Sequence, residues 1–307
     1  MQSIVTVCIP SYNHANYIDE AIESVIAQTY GPIELIIIDD GSVDQSLDII
    51  KSKEEQIKSR FIRYEIRSRE NKGLARTLNE ALEWSAGKYF AMLSSDDVIL
   101  PEKIRLQTAY LDKRNDCAGV FGGIFFIDST GKLIRSVSPK AGLWGYEDVI
   151  SKRCKLFAPT MLMRMSSLID IGGYWEDVAL EDRGISLKLT SFGYKLATVS
   201  TIFAQYRWHD NNTIRSFKKM LHSRLKIYRK LEKSRLVHRA QAKSIYGYCI
   251  EICKENPRSA TKFYLIANNL HLTACLTKPG RRALRKIFIA KRRFLENLFM
   301  QRFAKIV

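Results

Sequence analysis

Two pairs of adjacent aspartates follow apolar runs in the N-terminal third of the sequence. Asp39 and Asp40 come directly after the run LIII, and Asp96 and Asp97 follow YFAML with two serines between. Adjacent carboxylates repel one another and raise each other's pKa unless a positive charge lies among them. A divalent cation held by carboxylate oxygens would supply that charge and could neutralise a bound phosphate group. The pairs therefore predict a metal-dependent site for a phosphate-bearing ligand.

Other phosphate sites and simple turn chemistry compete with this interpretation. The first strand-to-helix turn reads CIPSYNHANY, and the sequence contains neither GxGxxG nor GxxxxGK[ST]. A dinucleotide-dependent enzyme and a P-loop protein are therefore disfavoured. Either acidic pair alone would more often be a turn or a helix N-cap. Two pairs in the same position relative to an apolar run favour ligand binding.

The elements that must position these carboxylates alternate in the first part of the chain. Four apolar runs have strand length, and three segments between them have helical period. The strands are VTVCIP, ELIIID, FIRYEI and KYFAMLS, and the helices are NYIDEAIESVIAQ, SLDIIKSKEEQ and GLARTLNEALEWSAG, the last closed by Gly87. This order predicts an α/β fold with a mostly parallel sheet and helices on both faces. Ligands of such sheets bind beyond the carboxyl ends of the strands, so both acidic pairs should face one crevice.

The charge divides the chain into two parts. Residues 215–307 hold 24 Lys and Arg against 4 Asp and Glu, a net of +20, whereas residues 1–214 hold 25 against 28, a net of −3; the sum is +17. We predict a first domain over 1–215 and a basic helical region over 216–307. The segment RRALRKIFIAKRRFLENLFMQRFAKIV predicts a basic amphipathic helix. Its apolar stripe is Leu284, Ile287, Phe288, Leu295, Leu298, Phe299, Phe303 and Ile306.

Two partners could explain this helix. It could pack on the first domain, or it could bind an anionic membrane surface, which suits both the basic residues and the aromatic side chains. Specific nucleic-acid binding is disfavoured because no recognition motif accompanies the charge. The six cysteines have no CxxC spacing, the N-terminus does not resemble a leader, and no window of 18 residues is apolar. These features favour a cytoplasmic protein, peripheral on the inner face of the cell membrane.

Five segments in order resemble the family 2 glycosyltransferases of GT-A fold. They are IPSYNHANYIDEAIESVIAQTY, ELIIIDDGSVD, NKGLARTLNEALEWSAGKYFAMLSSDD, GGY followed by LEDRGISLKL, and YRWHDNNT, and they span about residues 3–215. The resemblance implies a Rossmann-like domain that binds a nucleotide-sugar and an acceptor. It also implies a divalent cation, Mn²⁺ or Mg²⁺, as cofactor.

The resemblance assigns roles to individual residues. Asp182 would be the general base, and the first helical turn in which it lies would keep its carboxylate ionised. The metal ligands would be Asp96, Asp97 and His209. The nucleotide-sugar would contact Pro10, Tyr12, Asp39, Asn79, Ser95, Asp96 and Arg207, with Pro10 and Tyr12 against the base and Asp39 on a uracil. Two positions depart from the family pattern: Ser94 replaces the first aspartate of DxD, and Leu78 replaces the arginine of an RN pair.

The resemblance therefore implies an inverting, metal-dependent hexosyl- or N-acetylhexosaminyltransferase. Its donor would be a nucleotide-diphosphate sugar, with UDP as the expected nucleotide. Its acceptor would be a glycan or a polyprenyl-diphosphate-linked glycan in surface polysaccharide synthesis, such as the O-antigen of lipopolysaccharide or a capsule. Because of Ser94 and Leu78, the alternative is a non-catalytic nucleotide- or nucleic-acid-binding protein on a degenerate transferase scaffold.

Overall fold

The computed structural model describes residues 2–209, 216–253, 255–271 and 275–303, with side chains as far as residue 291. The chain forms two compact units, Met1–Asn212 and Thr213–Val307. The predicted domain boundary after residue 215 falls beside 210–215, outside the described residues, and stays a prediction.

One ten-stranded sheet organises the N-terminal unit. Its strands are β1 Val5–Ser11, β2 Ile33–Asp39, β3 Arg63–Ser68, β4 Tyr89–Met92, β5 Val98–Ile99, β6 Gly119–Ile127, β7 Leu133–Val137, β8 Gly142–Trp144, β9 Leu162–Arg164 and β10 Leu196–Arg207. Its helices are α1 Ile18–Ile26, α2 Ser46–Ser52, α3 Glu54–Arg60, α4 Leu74–Trp84, α5 Lys103–Asp112, α6 Tyr146–Ser151, α7 Met165–Asp170 and α8 Glu181–Ser191, with a 3₁₀ turn at Ala158–Thr160.

The strand order confirms the predicted, mostly parallel sheet. The order is β3-β2-β1-β4-β9-β6-β10-β5, with β7 beside β6 and β8 beside β10. The first four strands of the chain are parallel neighbours. Strand β9 is antiparallel to both β4 and β6, and β10 is parallel to β6. Strands β1, β2, β4 and β10 therefore end at the same border, which we call the carboxyl edge.

Apolar periodicity explains why these segments form the core. The side chains of β1, β2 and β4 are buried along their whole lengths, as expected for strands covered on both faces. On α1, the residues Ile18, Ile22 and Val25 recur at helical spacing and are buried against the sheet. This packing fixes the strand ends that carry the acidic pairs.

Two helices end differently from the sequence prediction. The segment SLDIIKSKEEQ forms α2 and α3, which meet at Lys53. Helix α4 ends at Trp84 with an extended Ser85, so Gly87 does not close it. Instead, the Gly87 N–H donates to Thr6 Oγ1 (3.2 Å) and Glu34 Oε1 (3.0 Å), and a Cβ there would lie 2.7 Å from the Thr6 backbone nitrogen. Gly87 is thus required for close approach to β1.

The C-terminal unit has helices and a core of its own. Its helices are α9 Phe217–Lys230, α10 Arg235–Ile252, α11 Pro257–Leu270 and α12 Lys278–Phe303. The predicted apolar stripe of α12 divides, because Ile287 is buried in this core while Leu284 is 52% and Phe288 72% exposed. The stripe members from Leu295 onward lie outside the residues whose side chains are described.

Candidate functional site

The second acidic pair lies at the carboxyl edge, after β4, and its two carboxylates have different environments. Asp97 is buried, and its Oδ1 accepts the backbone N–H of Arg207 at 2.9 Å. Burial, together with the charge of Asp96, raises the pKa of Asp97 well above its usual value. Asp96 Oδ2 instead lies 3.0 Å from His209 Nε2, after β10. The structure thus brings together Asp96 and His209, two of the predicted metal ligands, whereas metal binding by Asp97 stays a prediction.

A third potential ligand, His14, comes from the turn after β1. His14 Nδ1 lies 2.7 Å from Ser95 Oγ, and its ring centroid is 5.9 Å from that of His209. Burial lowers the pKa of His14, which favours the neutral, metal-binding form of the imidazole. Sequence reasoning missed this residue, although its place at the end of a parallel strand was a usable signal. The Ser95 hydroxyl forms its hydrogen bond with His14 in this structure, and the predicted contact of Ser95 with a nucleotide-sugar stays a prediction.

The three side chains fit a divalent cation. Ligand atoms of His14, Asp96 and His209 all lie within 4.8 Å of one another. Metal–nitrogen and metal–oxygen bonds of about 2.0–2.2 Å allow two ligand atoms on one ion to be at most about 4.4 Å apart. Side-chain shifts of a few tenths of an ångström would therefore close the site around an ion.

Arg207 is buried beneath this turn, with 2% of its surface exposed. Its Nε donates to the backbone oxygen of Asp96 at 3.0 Å, Nη1 donates to that of Asp128 at 3.4 Å, and Nη2 pairs with Glu20. The guanidinium also lies 4.9 Å from the ring centroid of Tyr17. Arg207 therefore positions the Asp96–Asp97 turn, while its predicted contact with a diphosphate stays a prediction. Residues 210–213 of the segment YRWHDNNT lie outside the described residues.

The first acidic pair finds its partners within the protein. Asp40 pairs with Arg69 and accepts the backbone N–H groups of Lys72 (2.8 Å) and Gly73 (2.9 Å), which fixes the start of α4. The positive charge beside Asp40 is therefore an arginine.

Asp39 and the aromatic residue before it lie at the same edge. Asp39 is buried and accepts the backbone N–H (3.1 Å) and the hydroxyl (2.5 Å) of Ser42. Tyr12, at the end of β1, is 47% exposed, and Pro10 is buried within the strand. The exposed tyrosine ring can receive a flat base, but the nucleotide contacts of these three residues are untested predictions.

Asn79 anchors the loop that leads to α8. Its Nδ2 donates to the backbone oxygen of Tyr174 at 3.1 Å, and its Oδ1 accepts the backbone N–H of Tyr174 at 2.8 Å. Gly173 has φ +62°, and a Cβ there would lie 2.6 Å from Asn79 Oδ1. Lys188 Nζ donates to the backbone oxygens of Gly172 (3.0 Å) and Gly173 (2.8 Å). The predicted sugar-nucleotide contact of Asn79 thus stays a prediction, and its observed contacts hold the loop in place.

Helix α8 begins at Glu181, so Glu181 and Asp182 occupy its first turn as the sequence predicts. Burial, together with the neighbouring Asp182, raises the pKa of Glu181 to about 8. The pKa of Tyr206 is raised by burial and then by Asp97, Asp96, Asp182 and Glu181. All four carboxylates therefore lie near enough to this one phenol of β10 to act on its charge.

Comparisons with known proteins agree with this architecture. The family model "Glycosyl transferase family 2" matches residues 6–168, more than half of the chain. An uncharacterized glycosyltransferase of Rickettsia prowazekii is 34% identical over 177 residues, covering 54% of this chain and 54% of the relative. The chain spans 20% to 54% of the length of the first Rickettsia relatives that it matches.

Two solved structures share the fold at low identity. The structure of S. aureus TarS 1-349 in complex with UDP-GlcNAc has a TM-score of 0.62 and 15% identity, covering 94% of this chain and 91% of TarS 1-349. The mannosyltransferase PcManGT from Pyrobaculum calidifontis, in complex with GDP-Man and Mn²⁺, has a TM-score of 0.62 and 17% identity, covering 96% of this chain and 88% of PcManGT. These similarities concern the fold.

Proposed function

The chain belongs to glycosyl transferase family 2 and has a GT-A fold, and we propose that it is an inverting glycosyltransferase. It moves a sugar from a nucleotide-diphosphate sugar to a hydroxyl of a glycan or lipid-linked acceptor. The observation that supports this most directly is the meeting of Asp96 and His209, 3.0 Å apart, where β4 and β10 end at the carboxyl edge.

Donor binding involves the ends of β1, β2 and β4. The exposed ring of Tyr12 stacks on the base, and Asp39 accepts a hydrogen bond from the base in addition to those from Ser42 and Ser68. Asp96 and His209 would hold a divalent cation, Mn²⁺ or Mg²⁺, which would neutralise the diphosphate and stabilise it as a leaving group. A UDP-sugar is the proposed donor, and the UDP-GlcNAc in TarS and the GDP-Man in PcManGT both support a nucleotide-sugar.

Asp182 is the proposed general base. Burial and the neighbouring Asp182 raise the pKa of Glu181 to about 8, which favours its protonated form at neutral pH and leaves Asp182 as the proposed base. Asp182 removes the proton of the acceptor hydroxyl, whose oxygen forms a bond to the anomeric carbon while the bond to the diphosphate breaks. Attack from the face opposite the leaving group inverts the anomeric configuration, so an α-linked donor gives a β-linked product.

The test is a screen of nucleotide-sugars for release of the nucleoside diphosphate, with and without Mn²⁺, followed by transfer to polyprenyl-diphosphate-linked acceptors. We expect slow, metal-dependent release with one donor and faster release when its acceptor is added. Binding of a nucleotide-sugar with no release under any condition would instead favour the non-catalytic alternative that Ser94 and Leu78 raise.

The C-terminal unit is proposed to bind the anionic surface of the membrane that carries the acceptor. Leu284 and Phe288 form an exposed apolar pair one turn apart on α12, with exposed Arg281 and Arg285 beside them. Each basic side chain near an anionic leaflet contributes about 1 kcal/mol, and apolar insertion adds about 25 cal/mol per Å². No helix in the described part of the chain is both long and apolar enough to cross a bilayer.

Flotation with liposomes tests this surface. The full chain should float with vesicles that contain anionic lipid and much less with neutral vesicles, and high salt should release it. The double variant Leu284→Glu, Phe288→Glu should lose most of this binding. The matched control Ile169→Glu adds a charge at a side chain of α7 that is 66% exposed, and it should float like the wild type. Equal flotation with neutral and anionic vesicles would contradict the proposal.

A further inference from the structure

The turn after β1 places the imidazole of His14 at an edge where the sequence lacks an expected aspartate. Ser94 stands where the family's DxD motif has its first aspartate, so the chain has one carboxylate fewer at this edge. The imidazole of His14 lies among the remaining ligands, with all three ligand atoms within 4.8 Å. We propose that His14 is a protein ligand of the metal and that it makes the site prefer Mn²⁺ to Mg²⁺. The inference rests on the proposed metal-dependent function and concerns a residue that the sequence pattern left without a role.

The backbone around His14 is fixed by the loop that follows β2. Asn13 has a left-handed backbone with φ 53°, and its N–H donates to Ser42 Oγ at 2.9 Å. The His14 N–H donates to Ser46 Oγ at 3.0 Å, and the Ala15 N–H donates to Asp44 Oδ2 at 3.0 Å. Three successive N–H groups are thus held by the loop after β2 and the first residue of α2, which fixes the backbone of His14 before any ion binds.

Ser95 can fix the tautomer of His14. The distance from His14 Nδ1 to Ser95 Oγ is 2.7 Å, a normal hydrogen bond. When Nδ1–H is the donor, Nε2 keeps its lone pair for a metal. This is the arrangement in which a ligating histidine donates its second nitrogen to an outer partner, which orients the ring. Ser95 is therefore a positioning residue for His14.

The donor set decides which cation the site prefers. Mg²⁺ favours oxygen ligands in near-ideal octahedral geometry and loses its waters reluctantly, whereas imidazole suits later divalent metals. His14, Asp96 and His209 offer two imidazole nitrogens and one carboxylate. A site with an aspartate at position 94 and no histidine at position 14 would offer an additional carboxylate ligand and one more negative charge. Mg²⁺ depends on such oxygen ligands more strongly than Mn²⁺ does.

Measurements of metal binding to the metal-free, full-length chain test this inference. Mn²⁺ affinity is measured by electron paramagnetic resonance titration and Mg²⁺ affinity by competition against bound Mn²⁺. We expect the wild type to bind Mn²⁺ at least about 10-fold more tightly than Mg²⁺. His14→Gln should weaken Mn²⁺ binding by about 10- to 100-fold. His14→Asp should move the Mn²⁺/Mg²⁺ preference towards Mg²⁺ by about 10-fold. His222→Gln, at an exposed histidine of α9, is the matched control and should leave both affinities unchanged.

Electron spin echo modulation from ¹⁴N on bound Mn²⁺ counts the imidazole ligands directly. Two coupled imidazoles are expected in the wild type and one in His14→Gln. A single imidazole in the wild type, or unchanged Mn²⁺ affinity in His14→Gln while Asp96→Asn loses it, would overturn the role of His14 and leave the proposed function standing. At Mn²⁺ concentrations close to the wild-type dissociation constant, loss of nucleoside diphosphate release in Asp96→Asn together with normal release in His14→Gln would likewise exclude His14 as a ligand. No Mn²⁺ binding by the wild type would overturn the inference together with the metal dependence of the proposed function.

Discussion

Arg207→Lys tests whether Arg207 supports the Asp96–Asp97 turn, as its contacts indicate, or contacts the diphosphate, as the family resemblance implies. The substitution keeps the positive charge but removes the planar fork through which three nitrogens reach three different acceptors. A lysine ammonium at the end of a flexible chain can reach one of these acceptors in place of the three. The backbone oxygen of Asp96 would then lack its donor close to the proposed metal site, whereas that of Asp128 keeps the backbone N–H of Gly131 at 3.1 Å.

The cost follows from these contacts. The Asp96 carbonyl, left without its donor, costs about 1–3 kcal/mol. The pair with Glu20 adds little, because the Glu20 side chain is 52% exposed and solvent screens it. The total loss is therefore about 1–3 kcal/mol. A loss of 1 kcal/mol lowers the melting temperature by about 2–4 °C in a unit of roughly 200 residues, so that of the N-terminal unit should fall by about 3–9 °C.

Scanning calorimetry and donor binding measure the two roles separately. We expect the lower melting temperature together with weaker Mn²⁺ binding, because the Asp96 turn loses its support. Nucleotide-sugar affinity measured without metal should be nearly unchanged. An unchanged melting temperature with strongly weakened metal-free donor binding would refute this reasoning and show that Arg207 contacts the diphosphate.

Three further substitutions probe the loop before α8 and the acidic pair. Asn79→Ala removes both hydrogen bonds to Tyr174, so kcat should fall more than donor affinity. A raised donor KM at unchanged kcat would instead show that Asn79 contacts the donor, as the family resemblance implies. Gly173→Ala should lower the stability by about 1–2 kcal/mol in thermal unfolding, because its φ is positive and a Cβ would contact Asn79. The control Gly145→Ala, in open space at φ −95°, should leave the stability unchanged. Equal effects of the two substitutions would contradict this reasoning. The folded-state pKa of Glu181 is raised from 4.5 to about 8, so between these values the folded protein binds a proton that the unfolded chain has lost, and stability falls as pH rises. The melting temperature of Glu181→Gln relative to wild type should therefore rise from about pH 5 to about pH 8 and then level off, and a pH-independent difference would contradict the raised pKa.

Local sequence patterns were sufficient to predict much of the N-terminal fold. Buried parallel strands need continuous apolar runs, and helices on such a sheet need a 3.6-residue period, so β1, β2, β4 and α1 could be located from residue type alone. The place of Glu181 and Asp182 in a first helical turn followed from the same periodicity. The carboxyl edge followed from the order of these elements.

Side-chain partners far apart in sequence were beyond such patterns. Asp40 meets Arg69 and Asn79 meets Tyr174 because strands and loops separated by many residues become neighbours in the fold. The orientation of His14 depends on hydrogen bonds from a different loop, which hydropathy does not encode. On α12, apolar spacing alone could not tell that Ile287 faces the core of its unit while Phe288 faces solvent.

Asp182→Asn tests the central claim most directly. The amide keeps the shape of the carboxylate but cannot accept the proton of the acceptor hydroxyl. With the donor identified by the screen, transfer to the acceptor should fall by about 10²- to 10⁴-fold, while calorimetric titration should give unchanged affinities for the nucleotide-sugar and Mn²⁺. Transfer at the wild-type rate, or loss of donor binding along with transfer, would contradict the assignment of Asp182 as the base of a glycosyltransferase site.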